Sequence, residues 1–455
     1  MHQVNDDSAK LRAAVFDYAK QRLEYDPPPL DAPQSESWLA TNAGKTITES
    51  GLGGLRALEI FAEVLAPATI STDHPNYLSF IPTAPTEASK LFDLVVSASA
   101  IYGGSWMEGA GAVHAENEVL SWLAEEIGLP KGAGGVFVQG GTLGNLSALV
   151  AARHSEINKR KAAGKPMPAR WKFICSSEAH SSLSAAAAVM DVEIVKAEAD
   201  TSGHLSGQAV EAALKNAGDG VFAIVATAGT TNFGIIDRLQ EIGEVANRNA
   251  IWYHVDGAYG LAGILDPNTK SKFAGANLAD SFIVDPHKWL FAPFDACALV
   301  YRQPQLALTA HSQHGEYLET LNNSGDWNPS DYAYNLTRRP RGLPLWFSIA
   351  THGIKAYREA VATNIELASR IAKEIDARDE LTLVRRPELS VVVWERNGWD
   401  AEDYERWSKK MLASGFAFVV PSSHEGKPNL RFAIVNPKTK YEDLVRILDT
   451  LKDGK

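Results

Sequence analysis

Residues 281–302, SFIVDPHKWLFAPFDACALVYR, carry Lys288 through an apolar stretch. Lysine is rarely buried without a partner. An amine held there can form a Schiff base with an aldehyde, or it can be an ion-paired or snorkelling lysine at a strand end. Asp256 poses a similar question. It closes IWYHVD, a run that is apolar apart from His254. A carboxylate in that place loses hydration unless a cation meets it or it caps the next helix. Gly257 and Ala258 follow, small enough to leave room for something flat. In FICSSEAHSSLS, His180 falls after a third apolar run and before alanine-rich sequence, as a stacking ring or as a polar residue near a helix cap. Finally, VFVQGGTLGNLSALVAAR turns at Gly140, Gly141 and Thr142 from a strand pattern into a helical one. Glycine admits close approach and a helix N-terminus favours an anion, although a plain tight turn reads the same way. The Lys-Ser/Thr ending of a P-loop is absent.

One chemical species asks for all four features. Pyridoxal phosphate has an aldehyde that takes a lysine and a ring nitrogen that a carboxylate keeps protonated, so that the ring acts as an electron sink. Its phosphate suits a glycine-rich turn at a helix N-terminus, and its flat ring suits an imidazole on one face. Lys288, Asp256, the turn at residues 140–142 and His180 meet these needs, with Ala258 covering the other face. No metal is called for.

The elements that must hold these residues are legible in outline. From about residue 134, short runs rich in Val, Ile and Phe (GVFVQG, WKFICSS, VEIVKAE, VFAIVATAG, IWYHVD, SFIVD) alternate with helical stretches. That alternation predicts a mostly parallel sheet covered on both faces, an α/β fold whose ligands sit beyond the carboxyl ends of the strands. Helical periodicity over residues 8–25, broken by DPPPLDAPQ, predicts an N-terminal arm of helices and loops over residues 1–70. A large α/β domain is expected over 71–342. After it, a long helix, the runs ELSVVVWER, GFAFVVPS and NLRFAIVN and a last helix YEDLVRILDTL predict a smaller α+β domain over 343–455.

Composition narrows the class. The chain has 455 residues, 45% hydrophobic and 22% charged, with a net charge of −11 and no basic block. A soluble globular protein is expected, with neither nucleic acid nor an anionic membrane as partner. No signal pattern opens the sequence and no apolar run is long enough to span a bilayer. Cys175 and Cys297 are the two cysteines, too few for a disulfide framework, and a reducing cytoplasm is the default.

The sequence resembles the group II pyridoxal-phosphate-dependent amino-acid decarboxylases, which include aromatic-amino-acid and glutamate decarboxylases. The likeness runs from about residue 74 to 451. Its most specific pieces are DPHKW and HVDGAYG, whose Lys288 and Asp256 lie 288 − 256 = 32 residues apart. VATAGTTNFGIID, LTRRPRGLPLWF, RRPELSVVV and LRFAIVNP also look like family segments. The resemblance implies a fold-type-I aminotransferase-like architecture with a small α+β C-terminal domain, and a homodimer with the site at the subunit interface. It implies Lys288 as the Schiff-base lysine, Asp256 as partner of the ring nitrogen and His180 stacked on the ring. Gly141 and Thr142 would bind the phosphate, while Thr230, Asp285, Ala258 and His287 would line the cofactor site. Family members often carry asparagine at the Asp285 position. Thr83 matches a substrate-side threonine, and Arg431 an arginine that faces the substrate carboxylate in some relatives.

The implied activity is decarboxylation of an L-amino acid to its amine. Phe80 and Tyr102, with no lysine or arginine in NYLSFIPTA or AIYGGSW, favour an apolar or aromatic substrate. Gly104 stands where aromatic-substrate relatives place a bulky ring. Relatives also carry a catalytic tyrosine on a loop before the arginine pair, and here that register falls near residues 323–325. Tyr332 or Tyr334, with Tyr317 behind them, is expected to donate the proton instead. The alternatives are decarboxylation coupled to oxidative deamination, giving an aldehyde, and transamination. A catalytically silent scaffold is disfavoured by the intact Lys288 and Asp256.

Overall fold

The computed structural model describes residues 2, 4–313 and 325–452. Seven strands form the main sheet: β1 (Gly134–Val138), β2 (Lys172–Ser176), β3 (Glu193–Ala197), β4 (Val221–Thr227), β5 (Trp252–Asp256), β6 (Ser281–Val284) and β7 (Cys297–Tyr301). Their order is β1-β7-β6-β5-β4-β2-β3. The neighbours from β6 through β3 run parallel, while β7 is antiparallel to both β6 and β1. This is the expected α/β fold with a mostly parallel sheet. Each residue of β4, VFAIVAT, is buried, as a strand covered on both faces must be. The edge strand β3 is half exposed.

The long helices Trp106–Ile127 and Gly141–Ala162 belong to the same unit as this sheet. Val136, Phe173, Phe222, Trp252, Leu299 and Tyr301 belong to one buried cluster on it. A four-stranded sheet of order β10-β11-β9-β8 is built from β8 (Leu381–Arg385), β9 (Val391–Arg396), β10 (Ser422–His424) and β11 (Lys427–Ala433).

Two compact units divide the chain differently from the expected boundaries at 70 and 342. One holds residues 83–372 and 385–392; the other holds 1–82, 373–384 and 393–455. Backbone pairing explains the first difference. Phe418 N donates to Asn76 O at 2.9 Å, Leu78 N to Phe418 O at 3.0 Å and Ala433 N to Leu78 O at 2.9 Å. Residues 343–372 join the larger unit through contacts such as Trp289 Nε1 to Asn364 Oδ1, 3.0 Å. The expected strand in GFAFVVPS is not formed: Phe418 makes only an isolated bridge with Tyr77. No described helix is long and apolar enough to cross a membrane.

Candidate active site

A cavity of about 370 Å³ opens beyond the carboxyl ends of β1, β2, β4, β5 and β6, the end where such sheets bind ligands. Its lining includes Gly140, Gly141, Thr142, His180, Asp256, Ala258, Asp285, His287 and Lys288. These predicted residues are therefore brought together. The lining also includes Gln139, Asn145, Ser182, Thr227, Gly229, Thr231, Tyr259, Phe294 and Asp295, which sequence reasoning did not assign to the site.

The lysine stands in a short helix, Pro286–Trp289, directly after β6. Its Nζ lies 2.9 Å from Asp285 Oδ2. Burial opposes both charges. At Lys288 burial pulls the ammonium pKa down, but the Asp285 carboxylate, helped by Asp256, holds it above its ordinary value. At Asp285 burial pulls upward, yet Lys288 and His287 hold the carboxyl below the usual range. Gly141 N donates to the same Oδ2 at 3.3 Å. His287 has its pKa lowered by burial. Its Nδ1 lies 2.7 Å from Ala296 O, and its ring is tilted against Phe294 at 5.1 Å.

Asp256, 4% exposed at the end of β5, accepts from Asn145 Nδ2 at 2.9 Å and from Ala258 N at 3.2 Å. Asn145 comes four residues after Gly141, one helical turn on, and so faces the same side. His254, two residues before Asp256 on the same strand face, has Nε2 2.9 Å from Asn145 Oδ1. His180 is the N-cap of the Ser181–Met190 helix, its Nδ1 accepting from Ser182 N at 3.1 Å. Gly229 has φ of +103°, and a Cβ there would meet Gly260 Cα at 2.5 Å, so only glycine serves at that point of the rim.

Other predicted residues lie elsewhere. Thr230 turns its hydroxyl to Ile235 N at 3.2 Å, and it is Gly229 and Thr231 that line the cavity. Thr83 Oγ1 donates to Ala292 O at 2.7 Å, and the Tyr102 hydroxyl donates to Leu336 O at 3.1 Å. Phe80 and Arg431 belong to the other unit, where Arg431 Nη2 donates to Phe80 O at 2.9 Å. Tyr332 is 5% exposed and stacks on Trp327 at 4.1 Å, drawn into the core by its ring, while Tyr334 is 69% exposed. Neither lines the cavity. Tyr317 and most of the 323–325 register lie outside the described residues.

The family model "Pyridoxal-dependent decarboxylase conserved domain" matches residues 55–396. The chain is a pyridoxal-dependent decarboxylase. This decarboxylase is 28% identical over 423 residues to an aromatic-L-amino-acid decarboxylase of Bacillus atrophaeus, covering 90% of this chain and 87% of the relative. It is 25% identical to a 4-hydroxyphenylacetaldehyde synthase of Rhodiola rosea, over 78% of this chain and 76% of that one. It spans only 48%, 60% and 62% of the length of three histidine decarboxylases that it also matches. Among solved structures, an Oryza sativa TDC with PLP and tryptamine superposes with a TM-score of 0.90 at 21% identity, covering 99% of this chain and 98% of that one. The fold is therefore the fold-type-I architecture and the cofactor is pyridoxal 5′-phosphate.

The residues present fit that cofactor. The Gly141–Ala162 helix, 22 residues long, has a glycine as N-cap and no acidic residue of its own in its first turn. Gly141 N already meets Asp285 Oδ2, and the Thr142 N–H of the same first turn is the group it offers a phosphate. A primary amine, a buried carboxylate and an imidazole line the same cavity.

Proposed function

We propose that the enzyme decarboxylates an aromatic or other apolar L-amino acid to its amine, with Lys288 as the lysine that carries the cofactor. The observation that supports this reading is the meeting of Lys288, Asp256 and His180 on one cavity at the carboxyl edge of the sheet. Pyridoxal phosphate supplies the aldehyde that takes the amino group and the ring that accepts the electron pair left when CO2 departs. Asp256 holds the proton on the ring nitrogen, since an anion beside a basic nitrogen favours its charged form. His180 would cover one face of the ring and Ala258 the other. Gly141 and Thr142 would hold the phosphate, Gly141 by leaving room for close approach and Thr142 by its backbone N–H. A proton replaces CO2 at Cα, and Tyr334 is assigned that transfer: it is an exposed residue, whereas Tyr332 is packed in the core. Phe80, Thr83, Tyr102 and Arg431 are assigned to the substrate side. The working enzyme is a cytoplasmic homodimer.

A panel of the twenty amino acids tests this, with CO2, amine, aldehyde and peroxide measured for the protein loaded with pyridoxal phosphate. Phenylalanine, tyrosine or tryptophan should be turned over fastest. Preferred turnover of glutamate or aspartate refutes the substrate class. The likeness to an aldehyde synthase supports a second reading, in which the product is an aldehyde. Stoichiometric peroxide and ammonia from the wild type would decide for it.

A further inference from the structure

We propose that Asn145 is a positioning residue for decarboxylation: its one buried carboxamide sets both the Asp256 carboxylate and the His180 imidazole. The inference rests on the assignment of those two groups to the cofactor ring. The proton directions along the network can be worked out from its acceptors. A carboxylate only accepts, so the amide group 2.9 Å from Asp256 Oδ2 is the NH2 of Asn145. The amide oxygen then faces His254 Nε2 at 2.9 Å, and that nitrogen must carry a proton. His254 is fully buried, and burial lowers its pKa to about 4, so the ring is neutral. Its Nδ1 is therefore bare and accepts from the Ser281 hydroxyl at 2.8 Å. The Ser281 oxygen in turn takes Trp252 Nε1–H at 2.9 Å.

On the other side, the second amide hydrogen goes to Ser182 Oγ at 3.0 Å. That leaves the Ser182 hydroxyl to donate to His180 Nδ1 at 2.9 Å, beside the Ser182 backbone N–H at 3.1 Å. Two donors converge on Nδ1, so the ring proton of His180 sits on Nε2. The bridging groups are removed from water: Ser281 and His254 are fully buried, Asn145 is 1% exposed and Ser182 is 4% exposed. Turning the amide over would set an oxygen against the Asp256 carboxylate. No member can therefore be inverted alone, and the amide orients an anion and an imidazole at once.

The test uses enzyme reconstituted with pyridoxal phosphate and the amino acid turned over fastest in the panel. Wild type, Asn145→Leu, Asn145→Asp, Asp256→Asn and the double variant Asn145→Leu/Asp256→Asn are compared by kcat, KM and pyridoxal phosphate affinity. The ¹⁵N spectrum of the histidine rings is recorded for each apoprotein. Asn145→Leu should lower kcat on the order of 10- to 100-fold, as loss of a partner that orients a working group does, with KM within about threefold. In the Asp256→Asn background the same change should lower kcat by a smaller factor than in the wild-type background, because the part that acts through Asp256 is already lost while the part that acts through His180 remains. The His180 signals should pass from a single Nε2–H tautomer to a mixture. Asn145→Asp keeps the shape and leaves at most one hydrogen for two acceptors, so it should move the same readouts in the same direction if the leucine variant fails to fold. Equal losses in both backgrounds, kcat within about twofold of wild type, or an unchanged His180 signature would overturn the proposal. A crippled Asp256→Asn enzyme beside near-normal Asn145 variants sinks this proposal alone. A near-normal Asp256→Asn enzyme sinks the site reading and this proposal together.

Discussion

Replacing Asp285 by asparagine removes the anion that lies 2.9 Å from the Lys288 ammonium. At an effective dielectric of about 20, two unit charges at that distance attract by about 6 kcal/mol. One pKa unit corresponds to about 1.4 kcal/mol, so the gross effect is about four units. The asparagine oxygen still accepts a hydrogen bond, which keeps part of this. A fall of at least about one unit is expected. The sign follows from the causes: burial pulls the Lys288 pKa down, and Asp285 is the first of the groups that hold it above its ordinary value, ahead of Asp256. Without the carboxylate, burial is left to pull the pKa down. Capture of an aldehyde needs the neutral amine, whose fraction at neutral pH rises tenfold for each unit of fall. Apoprotein of Asp285→Asn should thus capture pyridoxal phosphate about tenfold faster or more at pH near 7.5. Stopped-flow absorbance between about pH 6.5 and 9.5 would measure it. The wild-type rate should keep climbing with pH across that range, while the variant should level off earlier. A variant that captures the cofactor at the wild-type rate or more slowly at neutral pH would refute the reasoning, and slower capture would make Asp285 the base that unloads the lysine.

Lys288→Ala should abolish turnover together with the borohydride-trappable cofactor; normal turnover would end its assignment. Glu116 and Arg338, both 3% exposed, form a buried ion pair at 2.8 Å, and Glu116 also accepts from Gly342 N at 2.7 Å. Glu116→Ala strands the guanidinium, so urea unfolding should show a loss of about 3–5 kcal/mol, and a loss below about 1 kcal/mol would mean that solvent reaches Arg338. Tyr334→Phe should lower the ratio of amine to aldehyde. Tyr332→Phe, altering a side chain already packed on Trp327, should leave that ratio unchanged and act on stability; the reverse pattern would exchange their roles.

The central strands were readable because burial on both faces leaves nearly continuous apolar runs, as in β4 and β6. β8 gave no such run: only its first residue is fully buried. GFAFVVPS had the composition of a strand but finds a partner for little more than Phe418. At the site, Lys288, Asp256 and His180 announced themselves as polar residues at the ends of apolar runs. Asn145 and Ser182 did not, because both sit inside helical sequence and their meaning comes from neighbours 111 and 37 residues away along the chain. His254 was visible as the one polar residue within its run, but its hydrogen-bond direction could not be read without Ser281 opposite it. Tyr332 was expected at the chemistry because tyrosine serves there as readily as in a core, and the apolar face of Trp327 claimed it.

The pairing of β1 with β7 has a consequence for how the enzyme matures. Gly134 is matched with Tyr301 and Val138 with Cys297, so the edge that presents the phosphate-binding turn joins the sheet across a long loop of chain. Pairing across so long a separation costs loop-closure entropy and slows folding. Until it happens, Lys288 can exist in a formed β6–helix corner with no glycine turn opposite it. Cofactor uptake is then a reporter of finished topology rather than of local structure, and an N-terminal fragment ending before β7 would not load. If pyridoxal phosphate binds the closed chain and not the open one, free cofactor at about 100 times its dissociation constant would add about 2.7 kcal/mol to apparent stability.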